Sequence, residues 1–590
     1  MKLSQNAIRV LEARYLRRDS NRRIIETPEE LFQRVAKSIA YTELLLGKPK
    51  ETMYWEEQFF GMLSSLDFLP NSPTLMNAGT PLGQLSACFV LPVEDTMEDI
   101  FEAIKQMALI QRTGGGTGFS FSRLRPKGSV VASTGGESSG PVSFMKIFDC
   151  ATEYIKQGGK RRGANMGVLR VDHPDILEFI TAKLEEGTLR NFNLSVGITD
   201  HFMEALKKDT KYELINPQTK KTVRKVKAKE VFDKITESAW ASGDPGLLFL
   251  DTINKKHPLC EIGEIEATNP CGELPLLPYE SCNLGSINLS NMIEEKNNKT
   301  SINWEKLKST VHKAVRFLDN VIEVNKFPLP QTESVTKNNR KIGLGVMGFA
   351  EMLIKLGVPY DSEKAVKIAE KVMSFIHQEA VKTSMELAEE RGVFPNWHRS
   401  TYFRERRQMR NATVTSIAPT GTISIIAGTT SGIEPMFALA YRRTHVLENQ
   451  SLVEINPIFL DYLREYRLYS DALVEELVEK GTLKDVKGIP EYLKSLFVTA
   501  LEIPYEQHIK IQAAFQKHVD NSVSKTINMP QEATVDDVKK AYLLAYELGC
   551  KGITVFRYGS RREQVLELGA KEEVFEKEYF SKCDPHACKL

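Results

Sequence analysis

Between about residue 71 and residue 560, short apolar runs alternate with helical stretches, and this alternation limits the folds open to the chain. Cys88-Phe89-Val90-Leu91-Pro92 reads as a strand and Asp99 to Ile110 as a helix. Phe192 to Ile198 reads as a strand that stops at Thr199-Asp200, a good helix cap. Gly246 to Leu250, Thr413 to Ile417 and Gly552 to Phe556 are further short strands. Such alternation predicts an α/β fold with a largely parallel sheet covered by helices; periodicity does not separate an open sheet from a barrel. Residues 1–70 read instead as helices. Leu11, Tyr15 and Leu16 recur at helical spacing, and Thr27-Pro28-Glu29-Glu30 starts a helix with proline in its first turn. Asn71-Ser72-Pro73-Thr74 breaks that pattern. Tyr212 to Lys229 alternates apolar and basic residues around Asn216-Pro217, which predicts an exposed hairpin. Residues 460–500 read as charge-rich amphipathic helix.

The bulk properties exclude several classes. With 590 residues, 42% hydrophobic and 26% charged, the chain is an ordinary globular composition. A formal net charge of +1 provides no global field for nucleic acid or acidic lipid. No run approaches the roughly 18 apolar residues of a membrane span, and the first residues lack the apolar core of a secretory signal. A cytoplasmic location is therefore expected. In such a compartment, pairs among the eight cysteines are more often catalytic or metal-binding than structural.

One stretch concentrates the chemistry. Asn269-Pro270-Cys271-Gly272-Glu273 puts an amide, a thiol and a carboxylate at alternate positions, and Cys282 follows in Ser281-Cys282-Asn283. On an extended backbone those three side chains would point to one side. Pro270 and Gly272 between them suit a tight loop. Cys88, after Ser86-Ala87 at the start of a strand, is a second reactive candidate. Cys150, Cys260 and Cys550 read as small buried hydrophobes. Cys583 and Cys588 flank His586, but no second cluster completes a zinc site, so no metal is expected. They read better as a dithiol on a mobile tail that exchanges disulfides.

The glycine-rich segments are weaker signals. Gly343-Leu344-Gly345-Val346-Met347-Gly348 fits a dinucleotide pattern but no clear second strand follows it. Pro419-Thr420-Gly421-Thr422-Ile423-Ser424 offers backbone N–H groups and hydroxyls suited to phosphate. Gly114 to Gly118 and Gln157 to Gly163 read as loops, the second with three cations.

Together these motifs resemble the large catalytic subunit of ribonucleotide reductases, over nearly the whole chain. The resemblance implies a ten-stranded α/β barrel over 71–560 with a central finger loop near 269–282, a helical domain over 1–70 before it, and a redox tail over 561–590. It implies reduction of ribonucleotides to 2′-deoxyribonucleotides. Cys271 would become a thiyl radical that takes the 3′-hydrogen, Glu273 would be the general base, and Asn269 would hold the sugar. Cys88 and Cys282 would close a disulfide as the 2′-hydroxyl leaves. Cys583 and Cys588 would reopen it, themselves reduced by thioredoxin or a similar donor. Ser72, Ala87, Cys88 and Gly116 match substrate contacts, as do Asn269, Pro270, Cys271, Gly272 and Glu273. Pro419, Thr420, Gly421, Thr422 and Ile423 match the stretch facing the diphosphate. Asp95, Thr96, Met97 and Arg123 match the region that binds dNTP or ATP specificity effectors at a homodimer interface. Gln157, Gly158, Lys160 and Arg161 match the loop between effector and substrate base.

The segment Lys551 to Arg561 has no adjacent tyrosine pair, since Phe556 and Tyr558 flank Arg557. With the Asn-Pro-Cys-Gly-Glu spelling, that resembles the adenosylcobalamin-dependent class. The oxygen-dependent class, which needs a metal-radical partner, is one alternative, and a nucleotide-binding regulatory protein with inert thiols is another. Only 87 residues precede Cys88, so no ATP-binding regulatory cone is expected and dATP should not switch the enzyme off; a dATP titration tests this.

Overall fold

A computed structural model describes residues 3–131, 135–157, 161–185, 187–297, 299–447 and 450–560. These fall into two compact units. The larger comprises the chain up to Pro435 and from Ala500 onward, and the smaller is Met436–Thr499.

The helical start follows from local chemistry. Helix α1 (Gln5–Arg14) is capped by Ser4, whose side chain accepts from Ala7 N. Helix α2 (Pro28–Leu45) begins with a reciprocal cap: Thr27 Oγ1 accepts from Glu30 N at 3.2 Å and Glu30 Oε2 from Thr27 N at 2.7 Å. Leu31, Val35 and Ile39 form its buried stripe, and α3 (Pro49–Ser64) contributes Phe59 and Leu63. Asn71 does not merely break the pattern. Its Oδ1 accepts from Thr74 N at 3.0 Å and caps a new short helix, α4 (Ser72–Asn77).

Ten strands form the main sheet: β1 (Phe68–Pro70), β2 (Cys88–Leu91), β3 (Gly116–Ser120), β4 (Asn165–Arg170), β5 (Phe192–Ile198), β6 (Gly246–Phe249), β7 (Ser281–Asn288), β8 (Ile342–Met347), β9 (Thr526–Met529) and β10 (Gly552–Arg557). The order is β1-β7-β2-β3-β4-β5-β6-β10-β9, with β8 on the other side of β7. Strands β2 to β6 are mutually parallel, as are β7 with β8 and β9 with β10. Antiparallel pairs join these blocks at β7–β2 and β6–β10. Helices α5 (Met97–Arg112) and α6 (Asp200–Lys207), capped by Thr96 and Thr199, follow β2 and β5 as the strand–helix alternation predicts.

Residues 413–417 differ from expectation. They make only two isolated bridges, Leu344↔Thr415 and Ile417↔Val523. Asp520 is the reason: its Oδ2 takes the N–H groups of Val414 (2.8 Å) and Thr415 (3.2 Å) that a ladder would use. The segment still bonds β8 on one side and Ser522 on the other, just before β9, so hydrogen bonds link the two ends of the sheet order. The glycine pattern at 343–348 is β8 itself, not a phosphate loop. A Cβ on Gly345 would lie 2.3 Å from the Ser416 carbonyl oxygen, so glycine there lets two backbones meet. Gly116 and Gly118, expected in a loop, likewise belong to strand β3. Strands Lys211–Ile215 and Thr222–Lys227 form the predicted hairpin.

The smaller unit holds three short helices, Pro457–Glu465, Asp471–Lys480 and Glu491–Leu496, where one amphipathic stretch was expected. Gly481 in a left-handed conformation ends the second of these helices. Among the described residues, no helix is long and apolar enough to cross a membrane.

A buried charge knot ties α7 (Trp304–Val324) to the start of β8. Asp319 accepts from Arg340 at 2.7 Å, Arg391 at 3.1 Å, Arg410 at 3.4 Å and Asn411 Nδ2 at 3.0 Å. Burial alone would raise its carboxyl, but Arg340, Arg410 and Arg391 outweigh it and hold the group well below the usual carboxylate range. Removing one member leaves buried charge uncompensated. Asp319→Ala should therefore cost about 3–5 kcal/mol in urea unfolding. The loss should shrink as pH falls through the depressed range, where the wild-type carboxylate is itself protonated.

Candidate active site

The chemistry-bearing loop is a hairpin. Ala267–Thr268 pairs with Pro275–Leu276, and Asn269 to Leu274 form its tip. Asn269 N donates to Leu274 O at 3.2 Å and Gly272 N to Asn269 O at 3.1 Å. Leu274 N donates to Asn269 Oδ1 at 2.9 Å. Gly272 has φ +81°, a left-handed conformation that strains any side chain. The alternating side chains are thus brought together by a turn, not by the extended backbone the spacing suggested.

The hairpin lies directly on strand β3. A Cβ on Gly118 would fall 1.7 Å from Thr268 O, and one on Gly116 would fall 2.9 Å from Pro270 Cγ. Behind the tip, Glu273 O accepts from Ser416 Oγ and Ser522 N, both at 2.9 Å. Asn193 Nδ2 donates to Pro270 O at 2.8 Å. Cys271 is exposed at the tip, whereas Asn269 and Glu273 are 1% and 2% exposed.

Cys88 and Cys282 stand opposite one another on β2 and β7, in register. Opposed residues of antiparallel strands have Cα atoms about 4.5–5.5 Å apart, inside the range a disulfide spans. Both are buried free thiols. Asn269 Nδ2 donates to Cys88 Sγ at 3.1 Å, and Glu273 Oε1 lies 4.0 Å from the same sulfur. Burial, then Glu273, Cys271 and Cys282, push the Cys88 thiol well above its ordinary range. Burial likewise raises Cys282, with Lys341 acting the other way. Both therefore stay protonated at neutral pH, as hydrogen donors rather than thiolates.

Glu273 is the group whose state varies. Burial raises its carboxyl to about 7, against Asn269 and its own backbone. Its Oε2 is buried without a hydrogen-bond partner. A carboxylate at about 7 with an unclaimed acceptor is suited to take a proton from a bound hydroxyl.

The other predicted residues lie in several separate places. Ser72 Oγ bonds Tyr15 OH at 2.7 Å, and Ala87 O accepts from Gly116 N at 2.8 Å beside Cys88. Pro419 to Thr422 lead into helix α8 (Ile423–Ala427). Within them Thr420, at φ +58°, accepts from Gly432 N at its Oγ1 (2.7 Å) and from Ser424 N at its carbonyl (2.9 Å). Asp95, Thr96, Met97 and Arg123 gather at the opposite ends of β2 and β3. There Asp95 holds Arg125 (2.7 Å), and Arg123 pairs with Glu94 and, at 3.1 Å, with Glu266. Met97 is exposed. Gln157 and Arg161 face each other in a short hairpin before β4. Gly158, Lys160, Cys583 and Cys588 lie outside the described residues. Cys550 is buried as expected, but Cys150 and Cys260 are exposed, on a helix flank and in a loop. Asn193, Ser416 and Ser522, which hold the hairpin, were not among the predicted site residues, and Gly118 was read only as part of a loop. The first three act through single hydrogen bonds and carry no motif.

The family description "Ribonucleotide reductase, barrel domain" matches residues 86–556, and "Ribonucleotide reductase, all-alpha domain" matches residues 1–83. The chain belongs to the ribonucleotide reductases. It is 53% identical to the vitamin B12-dependent ribonucleoside-diphosphate reductase of Thermoplasma acidophilum, over 97% of this chain and 81% of that protein. It is 49% identical to the protein of the same description from Mycobacterium tuberculosis, over 100% of this chain and 85% of the relative. In fold it is similar to the class Id ribonucleotide reductase alpha subunit of Actinobacillus ureae, with a TM-score of 0.75 at 24% identity, covering 94% of this chain and 97% of that one.

Glu273 makes the site measurable without substrate. Its raised carboxyl opposes folding as it ionises: the cost is absent below about pH 4.5, grows to about pH 7 and is constant above, at roughly 3 kcal/mol. Glu273→Gln should therefore gain stability over wild type between pH 5 and pH 8 by that amount. Equal differences at both pH values would contradict the burial account.

Proposed function

We propose that this chain reduces ribonucleoside diphosphates to 2′-deoxyribonucleoside diphosphates by a thiyl-radical route, with adenosylcobalamin as the radical source. The observation that carries the reading is the convergence on one hairpin of an exposed thiol, a buried carboxyl near 7 and a cross-strand dithiol.

Each group has a part the chemistry needs. Cys271 removes the 3′-hydrogen of the ribose, a step suited to the weak S–H bond. Glu273, through its unclaimed Oε2, accepts the 3′-hydroxyl proton, and Asn269 orients the sugar. A protonated thiol of the Cys88–Cys282 pair gives a proton to the departing 2′-hydroxyl, which leaves as water. The pair supplies two electrons and becomes a disulfide, and Cys271 returns the hydrogen to C3′. Ser72, Ala87, Gly116 and the 419–423 turn surround the nucleotide. Cys583 and Cys588 carry electrons from thioredoxin or a similar dithiol, a chemistry suited to a reducing cytoplasm. The Asp95–Met97 and Arg123 cluster, distant along β2 and β3 from the thiols, binds dNTP or ATP effectors in a homodimer.

The residues fit the cofactor. The thiol that a bulky group must reach is the exposed one, Cys271, while the reducing pair is buried and shielded from it. Adenosylcobalamin, when bound, would supply radical chemistry, and Cys271 is the residue placed to receive it. The absence of an adjacent tyrosine pair in 551–561 favours this source over a partner subunit.

Anaerobic turnover of CDP with dithiothreitol should yield dCDP only when adenosylcobalamin is added, with no second protein. Product that requires a metal-containing partner would reverse the cofactor assignment. Cys271→Ala should drop turnover below detection while nucleotide affinity stays within a few-fold; loss of binding as well would instead indicate a damaged fold.

A further inference from the structure

Cys282 has neighbours that the reaction above does not use. On one side β7 pairs with β2, which sets Cys282 against Cys88. On the other it pairs with β8 from Asn283↔Ile342, so Lys341, one residue earlier, stands alongside Cys282. Glu280, two residues before Cys282, accepts from Lys341 Nζ at 2.7 Å, and the two side chains are 0% and 1% exposed. Asn339 Nδ2 holds the other oxygen of Glu280 at 2.6 Å. Gly116, Cys88 and Cys282 thus form one row across β3, β2 and β7, which Lys341, just before β8, extends.

The row is electrically lopsided. Lys341 is a cation beside Cys282, and it favours the thiolate there more than either Glu280 or Glu273 alone opposes it. The charges around Cys88 all oppose a thiolate, and only the neutral Asn269 amide assists one. Cys88 is also the slightly less buried residue, 5% exposed against 1%. A buried lysine–glutamate pair gains little stability over apolar packing, so its place beside a redox thiol calls for another account.

We propose that Lys341 is a positioning residue that fixes the direction of disulfide reopening: the incoming dithiol attacks Cys88, and Cys282 leaves as the thiolate. This rests on the function proposed above, in which Cys88 and Cys282 form a disulfide each turnover. A donor thiolate bonds to Cys88 Sγ, and the Cys88–Cys282 bond breaks with its electron pair moving to Cys282 Sγ. The second donor thiolate then attacks the first donor sulfur and releases Cys88. Both cysteines take up protons and the donor ends as a disulfide. Thiol exchange is faster when the departing thiolate is the better stabilised one; a neighbouring cation acts in that direction at Cys282, and none does at Cys88.

The test uses the full-length chain with Cys583→Ser and Cys588→Ser, so that the tail cannot pass the disulfide on, after one anaerobic turnover without reductant. Brief treatment with 2-mercaptoethanol, acid quenching, alkylation of remaining thiols and peptide mass mapping locate the mixed disulfide. Adduct on Cys88 with alkylated Cys282 is expected in about tenfold excess. Adduct mainly on Cys282 would overturn the inference. If no Cys88–Cys282 disulfide forms although dCDP is made, the proposed thiol chemistry itself fails, and the inference with it. Lys341→Arg should keep the bias. Lys341→Met combined with Glu280→Gln, which leaves no lone buried charge, should lose it, and should slow dithiothreitol-driven steady-state turnover about tenfold more than the single turnover of pre-reduced enzyme. Equal loss in both would mark the pair as merely structural.

Discussion

The site depends on a backbone contact that only glycine allows. Thr268 O lies where a side chain on Gly118 would begin, so the hairpin carrying Cys271 rests on bare main chain of β3. That proximity sets the height of the tip above the sheet. Ser416, Ser522 and Asn193 then fix its tilt by bonding the carbonyls of Glu273 and Pro270. Neither anchor engages a reacting atom, so the thiol and carboxylate of the tip stay available. Protein interiors are densely packed, and a methyl group forced between loop and strand would displace all three functional groups together.

The same burial that tunes the site works against the fold. Glu273 and the two thiols are charged only with difficulty because water is excluded, and Glu273 in its working form destabilises the native state. The Asp319 knot binds α7 to Arg340, and the next residue, Lys341, pairs with Glu280, so two ion-pair clusters hold the start of β8 beside the row containing Cys282.

What was legible in the sequence was what is local. The reciprocal cap at Thr27, the cap at Thr199 and the apolar strands at 192–198 and 552–557 depend on residues a few positions apart, and they fell where expected. The helical start and the α/β alternation were legible for the same reason, and so was the Asn269–Glu273 cluster as a chemical unit. What was hidden is what distant residues decide. Asp520 strips 414 and 415 of their ladder bonds from over a hundred positions away. Strand register, not spacing, sets Lys341 beside Cys282. Residue type does not say which side of a helix meets solvent, so Cys150 was misplaced.

The facing of Cys88 and Cys282 within one ladder has a mechanical consequence. Paired strands already hold the two α-carbons at the separation a sulfur–sulfur bond requires, so the bond can close and open with side-chain rotation alone. The backbone need not register the oxidation state. On the function proposed above, such a catalyst would discharge and recharge without flexing its frame, and the hairpin poised above the ladder would meet the same surface in every cycle.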